Sequence, residues 1–157
     1  KIFSFLHKFC NEKKIKLIYG SKLDLSMEEY VRNNLPKGNW LYHPRLNAKK
    51  TYNNLNNQQM IVFSWSTLGF EALAKGIKCV SFHKYFPSIG SNVKYPSTGF
   101  FWTSLKNYIQ FKKMISKIIS VPDLRWKKIA NKYSTEILNY DRDNLKTKKI
   151  LKKIIHS

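Results

Sequence analysis

Four short apolar runs, each followed by a helical or turn segment, constrain the fold of this chain more than any other feature. The runs are IKLIY (15–19), NWLYH (39–43), MIVFSW (60–65) and KCVSF (78–82). Strands that alternate with helices pair in parallel, because each right-handed crossover returns the chain to the same end of the sheet. The sequence therefore predicts an α/β fold built on a parallel sheet.

Helical patterns fill most of the remaining sequence. Apolar residues recur at helical spacing, and Gly76 and Pro122 stand where one helix should end and another begin. The predicted helices are 2–14, 26–35, 66–76, 107–121, 122–137 and an amphipathic segment at 144–155, with a short polar helix or turn at 51–57. Residues 83–105 are predicted to form a long loop, of the length that functional loops have. We expect a single domain over 1–157, with the helical tail 107–157 packed on it.

The chain is strongly basic, with 29 Lys+Arg against 9 Asp+Glu and a formal net charge of +20. The excess is spread along the sequence, with 15 Lys+Arg and 5 Asp+Glu in residues 1–105 and 14 and 4 in residues 106–157. Nucleic-acid binders usually concentrate their charge on one face or arm. A compositional bias with solvated lysines is therefore the favoured interpretation. Attraction to an anionic membrane surface comes second, and a basic nucleic-acid-binding domain is the least favoured, so no nucleic-acid partner is expected.

The first residue is Lys1, and the opening KIFSFLHKFC has the pattern of the middle of a helix. We expect the chain to be the C-terminal part of a larger protein. No stretch approaches the roughly 18 uninterrupted apolar residues of a membrane span. The two cysteines, Cys10 and Cys79, fall on apolar patterns and favour a reducing, cytoplasmic location.

Ligands of parallel sheets bind beyond the carboxyl ends of the strands. Two of the four histidines and several hydroxyls fall at that edge. The segments concerned are Gly20-Ser21-Lys22, His43-Pro44-Arg45, Ser64-Trp65-Ser66-Thr67 and His83-Lys84. The sequence therefore predicts a binding site there.

The turn after the third strand has the chemistry of an anion site. Ser66 and Thr67 offer hydroxyls beside the free amides of a helix N-terminus, and Gly69 would let a phosphate approach the backbone. Glu71 could accept hydrogen bonds from ribose hydroxyls, and His43 could donate to the same phosphate. The alternatives are a plain N-cap for the hydroxyls, an exposed acid for Glu71 and a strand terminator for His43.

Further candidates at this edge are Ser64, Lys22, Arg45 and His83. Cofactor and metal chemistry are not predicted, because the chain has no HExxH, CxxC or GK[ST] motif. Asp141-Arg142-Asp143 has the spacing of a metal-binding D-x-D, but it lies between two predicted basic helices instead of after a strand.

The central block MIVFSWSTLGFEALAKGIKCVSF (60–82) resembles bacterial surface-carbohydrate biosynthesis proteins, relatives of GT-B glycosyltransferases. Their C-terminal halves carry a strand, an S-T-L-G-x-E-A-L-x-x-G helix and another strand. It is also similar to the donor-binding halves of capsule Kdo transferases, CDP-glycerol polymerases and some bacterial sialyltransferases. The resemblance implies a Rossmann-like sheet that binds a nucleotide-sugar donor, with His43-Pro44 and Ser66-Thr67 at the nucleotide phosphate.

Two departures from the family pattern bear on donor affinity. The family often places an acid before the central strand, where this chain has 56–59 (NNQQ), and an Arg after the first strand, where it has Ser21-Lys22. The resemblance implies a metal-independent glycosyltransferase of surface polysaccharide biosynthesis. Its N-terminal acceptor domain, which usually carries the catalytic base, lies outside this sequence, so the catalytic residues are unknown and the chain alone should bind donor without turnover. The alternative is a non-catalytic nucleotide-sugar-binding or assembly subunit. In either case we expect a cytoplasmic protein, free or peripheral at the inner face of the cell membrane.

Overall fold

The computed structural model describes the backbone of residues 1–21, 25–34, 38, 40–44, 48–64, 66–83, 95–138 and 145–155. Side chains are described there except at 21, 25–28, 44, 48–50, 145–147, 150 and 153. The elements, in chain order, are α1 (Ile2–Lys13), β1 (Leu17–Ser21), α2 (Leu25–Asn34), β2 (Trp40–Pro44), α3 (Ala48–Asn56), β3 (Met60–Phe63), α4 (Thr67–Ala74), β4 (Lys78–Ser81), α5 (Tyr108–Ile119), α6 (Asp123–Leu138) and α7 (Leu145–Ile155). The mixed α/β architecture with C-terminal helices is confirmed.

The strands form two parallel pairs. In the first pair Leu17 lies opposite Trp40, and the register runs to Ser21 opposite Pro44. In the second, Met60 lies opposite Lys78. The parallel direction predicted from the alternating pattern is confirmed within each pair, whereas a continuous Rossmann-like sheet stays a prediction.

The chain divides into two compact units, Lys1–Gln58 with Leu105–Ser116, and Gln59–Ser104 with Lys117–Ser157. The first unit holds β1, β2, α1, α2, α3 and the part of α5 up to Ser116, and α1 contacts β1. Its buried apolar residues are Phe9, Cys10, Leu17, Tyr19, Val31, Leu55, Phe111 and Ile115. The expectation of one domain over 1–157 stays a prediction.

In the second unit α4 packs on β3, β4 and α6. Its buried apolar residues are Phe63, Ala72, Leu73, Cys79, Val80, Phe82, Phe101, Trp102, Ile118, Val121, Trp126, Ala130 and Ile137. Lys78, at the start of β4, donates to the carbonyl of Ile119 at 3.0 Å and pairs with Asp123 at 3.0 Å. This lysine therefore joins the sheet to the end of α5 and the beginning of α6.

Part of the predicted long loop is core. Trp102 forms an isolated parallel bridge with Ser81, because the Ser81 amide donates to the Phe101 carbonyl at 2.9 Å and the Thr103 amide donates back to Ser81 at 3.1 Å. The side chains of 101–103 are almost fully buried. The described part of the predicted loop, 95–105, contains no helix or strand, but aromatic bulk and a backbone bridge place 101–103 in the core beside β4.

Gly99 allows this segment to turn back on itself. Its amide donates to the Trp102 carbonyl at 2.8 Å, and an added Cβ would lie 2.0 Å from the Trp102 ring. The indole of Trp102 donates to the Pro96 carbonyl at 2.9 Å. Tyr133 of α6 packs edge-to-face on both Phe101 and Trp102, at 5.3 and 5.2 Å between ring centroids. Packing thus accounts for Gly99, Phe101 and Trp102 in this segment.

The helices lie close to their predicted positions. Each differs from its predicted bounds by three residues or fewer at either end, and the segment predicted as a polar helix or turn at 51–57 is the helix α3. No helix in the described ranges combines the length and apolar character needed to cross a membrane.

Candidate functional site

The carboxyl ends of β3 and β4 are held side by side. The Phe82 amide donates to the Phe63 carbonyl at 3.2 Å, and the Ser81 hydroxyl donates to the Ser64 carbonyl at 3.5 Å. Ser64 is exposed and His83 is half-buried. The second unit therefore presents two of the predicted site residues where these strands end.

Ser66 is the N-cap residue of α4, as the sequence predicts. Its backbone is extended, with φ −159° and ψ 127°, and its carbonyl accepts from the Gly69 amide at 3.0 Å and the Phe70 amide at 3.4 Å. Its side chain, however, makes no capping hydrogen bond. Thr67, the first helical residue, is exposed. In a plain N-cap, the Ser66 hydroxyl would accept a hydrogen bond from an amide of the first turn. Ser66 therefore has the position of an N-cap residue without its side-chain hydrogen bond.

The start of α4 has groups of the kind that bind an anion. The first amides of a helix have no partner within the helix and carry partial positive charge. Thr67 is exposed beside them, and Ser66 is half-buried. Glu71, one turn further along α4, is half-buried too. The turn can thus offer backbone amides and hydroxyls to a phosphate, while the predicted ribose contact of Glu71 stays a prediction.

Gly69 has a packing role that the sequence did not reveal. It is buried, and an ideal Cβ there would lie 2.4–2.6 Å from three atoms of the Phe63 ring. A glycine is therefore required for the ring of β3 to pass beneath the first turn of α4. The approach of a phosphate to Gly69, for which the residue was singled out, stays a prediction.

The end of α4 is fixed by a Schellman motif. The Ile77 amide donates to the Ala72 carbonyl at 3.0 Å, and the Gly76 amide donates to Leu73 at 2.8 Å. Gly76 has φ +76°, a conformation that glycine adopts without strain. The prediction that the helix stops at Gly76 is confirmed.

Cys79 of β4 is a structural thiol under this helix. It is fully buried, and Sγ lies 3.2 Å from the Ile77 carbonyl and 3.8 Å from the Gly69 carbonyl. Burial raises the pKa of the thiol, which disfavours the reactive thiolate. Its predicted place in the core is confirmed.

His43 belongs to the first unit, where Asn54 of α3 orients its ring. The Asn54 amide nitrogen lies 3.2 Å from Nδ1 of His43. An amide nitrogen only donates, so Nδ1 must accept, and the proton of the neutral ring is placed on Nε2. The neutral ring can therefore donate a hydrogen bond through Nε2. Sequence reasoning missed Asn54 because no motif marks an asparagine eleven residues after a histidine.

Gly20 lies opposite His43 in the parallel pair. It is exposed, and an added Cβ would meet no atom within 4 Å. Paired residues of neighbouring strands place their side chains on the same face of the sheet. Among the described residues, none therefore fills the position beside His43 on that face.

The predicted site residues thus fall in both units. His43 lies in the first, and the second holds Ser64, Ser66, Thr67, Gly69, Glu71 and His83. Lys22, Arg45 and the segment 141–143 are outside the described residues. Within the described ranges, no three His, Cys, Asp or Glu side chains are grouped as a metal site would require.

Comparison with known proteins yields a family. Residues 1–155 match the model of a family described as "putative O-antigen biosynthesis protein". No curated protein and no solved structure gives a significant match to the chain. Since the match spans almost the whole sequence, the chain belongs to this O-antigen biosynthesis protein family.

Proposed function

We propose that the second unit binds the phosphate of a nucleotide-sugar donor at the turn from β3 into α4. The observation that carries this proposal is Ser66, a residue at the N-cap position whose side chain makes no capping hydrogen bond. Since a capping hydroxyl stabilises a helix, a serine that leaves the first turn uncapped is suited to sharing that turn with a ligand.

The local chemistry suits phosphate better than a neutral ligand. Backbone amides at the start of α4 point toward the positive end of the helix dipole. The hydroxyls of Ser66 and Thr67 add donors that can rotate toward different oxygens. The net charge of +20 raises the local concentration of anionic ligands. None of these contacts needs a metal ion.

We propose that the whole protein is a GT-B-type glycosyltransferase of O-antigen or related surface polysaccharide biosynthesis. Membership in the O-antigen biosynthesis family supports this. In such a reaction the donor's phosphate becomes the leaving group, and fixed dipoles at the helix terminus would stabilise the charge that develops there. We assign no catalytic base to these residues.

A cytoplasmic location is part of the proposal. Both cysteines are free and buried. Structural thiols kept reduced are typical of proteins in reducing compartments.

The test is calorimetric titration with CMP, CDP, UDP and GDP. One of these nucleotides should bind the parent chain, and Ser66→Ala combined with Thr67→Ala should weaken that binding about 100-fold or more, because hydrogen bonds to charged groups contribute about 1.5–3 kcal/mol each. The variant should lose less than about 1 kcal/mol of stability, since the Ser66 side chain makes no capping bond.

The matched control is Ser116→Ala, which removes an exposed helical hydroxyl from α5. It should bind the nucleotide as the parent does. A double variant that retains full affinity would refute the site, and a parent that binds none of the four nucleotides would refute the function.

A further inference from the structure

We propose that α7 is a membrane anchor that lies along the surface of an anionic phospholipid bilayer. Five of its eleven residues are lysine and none is acidic. Its apolar residues Leu151, Ile154 and Ile155 are 51%, 65% and 74% exposed. This inference concerns a different part of the second unit from the phosphate site and does not depend on nucleotide binding.

Three described apolar side chains of α7 share one face. Residues three and four positions apart are neighbours on a helix surface, so Leu151, Ile154 and Ile155 form one continuous stripe. Lys148 and Lys152 lie beside this stripe and Lys149 lies opposite it, at 100° per residue. All three lysines are exposed. The helix thus presents an apolar face bordered by cations.

This combination distinguishes lipid from other anionic partners. A polynucleotide would neutralise the lysines but would leave the isoleucines exposed to water. At an anionic bilayer, the apolar stripe enters the boundary between headgroups and acyl chains, while long lysine side chains reach back to the phosphates. Each lysine near such a surface adds attraction that fades within a Debye length, about 8 Å at physiological salt.

An exposed apolar residue of α6 shows the contrast. Leu124 of α6 is 78% exposed, but the described residues three and four positions along, Lys127 and Lys128, are exposed lysines. Single exposed apolar residues are ordinary on protein surfaces. A stripe of three on a helix without acidic residues is the pattern of an interfacial helix.

Vesicle co-sedimentation of the full chain tests the proposal. The chain should bind vesicles of phosphatidylglycerol and phosphatidylcholine in equal parts and should not bind pure phosphatidylcholine at physiological salt. Ile154→Ser combined with Ile155→Ser should weaken binding about tenfold or more, equivalent to about 1.4 kcal/mol. Leu124→Ser is the matched control and should leave binding unchanged.

A second measurement reports where α7 lies. Because Cys10 and Cys79 are buried, a polarity-sensitive dye on Leu151→Cys labels α7 selectively, and its emission should shift to the blue on the anionic vesicles. The emission of the same dye attached to Leu124→Cys should shift less.

Three outcomes would overturn the proposal. The first is vesicle binding that the double substitution of Ile154 and Ile155 leaves unchanged. The second is a higher affinity for a DNA duplex than for the vesicles. The third is a concentration-dependent dimer in solution that the same double variant no longer forms. The last would assign the apolar face to a second copy of the chain.

Discussion

Gly69 illustrates how a residue singled out for a possible ligand contact can also have a packing role. The sequence pointed to it because a glycine in the first turn of a helix leaves room for a phosphate. The structure shows the Phe63 ring directly against its Cα. That neighbour could not be read from the sequence, because the position of the ring depends on how β3 and α4 pack.

Gly69→Ala should therefore destabilise the chain. The new methyl group would lie 2.4 Å from the Phe63 ring, so the free energy of unfolding should fall by about 1–3 kcal/mol. Gly20→Ala, where no atom lies within 4 Å of the added Cβ, should change it by less than about 0.5 kcal/mol. Urea denaturation followed by circular dichroism measures both, and equal stabilities would contradict the packing role.

The neutral form of His43 should carry its proton on Nε2, because Asn54 donates to Nδ1. Long-range nitrogen–proton NMR correlations distinguish the two tautomers. Asn54→Asp should move the proton to Nδ1, since a carboxylate accepts where the amide donated. If the parent chain shows Nδ1–H, the assigned orientation of the Asn54 amide is wrong.

At the scale of elements, periodicity and stop signals predicted most of the helices and strands. Gly76 ends α4 because its positive φ completes a Schellman motif. A glycine after a helical pattern predicts such an end from the sequence alone. The bridge between Ser81 and Trp102 could not be predicted in this way. The bridge pairs only two residues, and the sequence around Trp102 has no alternation of apolar and polar residues that would predict a strand. The bridge is therefore visible only in the folded unit, where the aromatic side chains pack together.

The aromatic cluster of the second unit supplies an element-scale prediction. Trp126 is 1% exposed and packs edge-to-face on Phe101 at 5.7 Å, so Trp126→Ala should cost about 3–5 kcal/mol of stability. Leu124→Ala, two residues away on the same helix and 78% exposed, should cost less than about 0.5 kcal/mol. Thermal or denaturant unfolding compares the two, and similar losses would mean that the cluster does not stabilise α6.

An ion pair joins α1 and α5 in the first unit. Lys112 lies 2.7 Å from Glu12, and its hydrogen bond lowers the pKa of that carboxyl below 4.5. A lowered pKa contributes stability above pH 4.5 that is lost as the pH falls through the folded-state value. Lys112→Met should therefore be less stable than the parent at pH 7, and the difference should disappear in acid.

The control for this pair is Lys113→Met, which removes the neighbouring exposed lysine of α5. The difference in free energy of unfolding between Lys113→Met and the parent should not depend on pH over the same acid range. A loss in Lys112→Met that persists below the carboxyl's titration would assign the effect to helix packing instead of the ion pair.

For the whole molecule, the sequence predicted the α/β class, the parallel direction of the strands and the C-terminal helices. It predicted the hydroxyls at the start of α4 as well, because their place after a strand is a local property. The pairing of strands and the partners of His43 and Gly69 are tertiary properties, set by contacts between segments distant in the chain. The charge of +20 does not by itself identify a binding partner. The exposed residues Leu151, Ile154 and Ile155 are what favour a lipid surface as the partner of the α7 lysines.

The measurement that tests the central claim most directly is a nitrogen–proton NMR titration of the full chain with the nucleotide that calorimetry selects. Addition of nucleotide should shift the amide signals of Thr67 and Leu68 first and most, because a phosphate at the start of α4 would accept from the amides that precede Gly69, whose own amide already donates to the Ser66 carbonyl. Signals of the Lys148–Lys152 segment of α7 should move little. Shifts confined to the lysines of α7, with the first turn of α4 unchanged, would contradict the account.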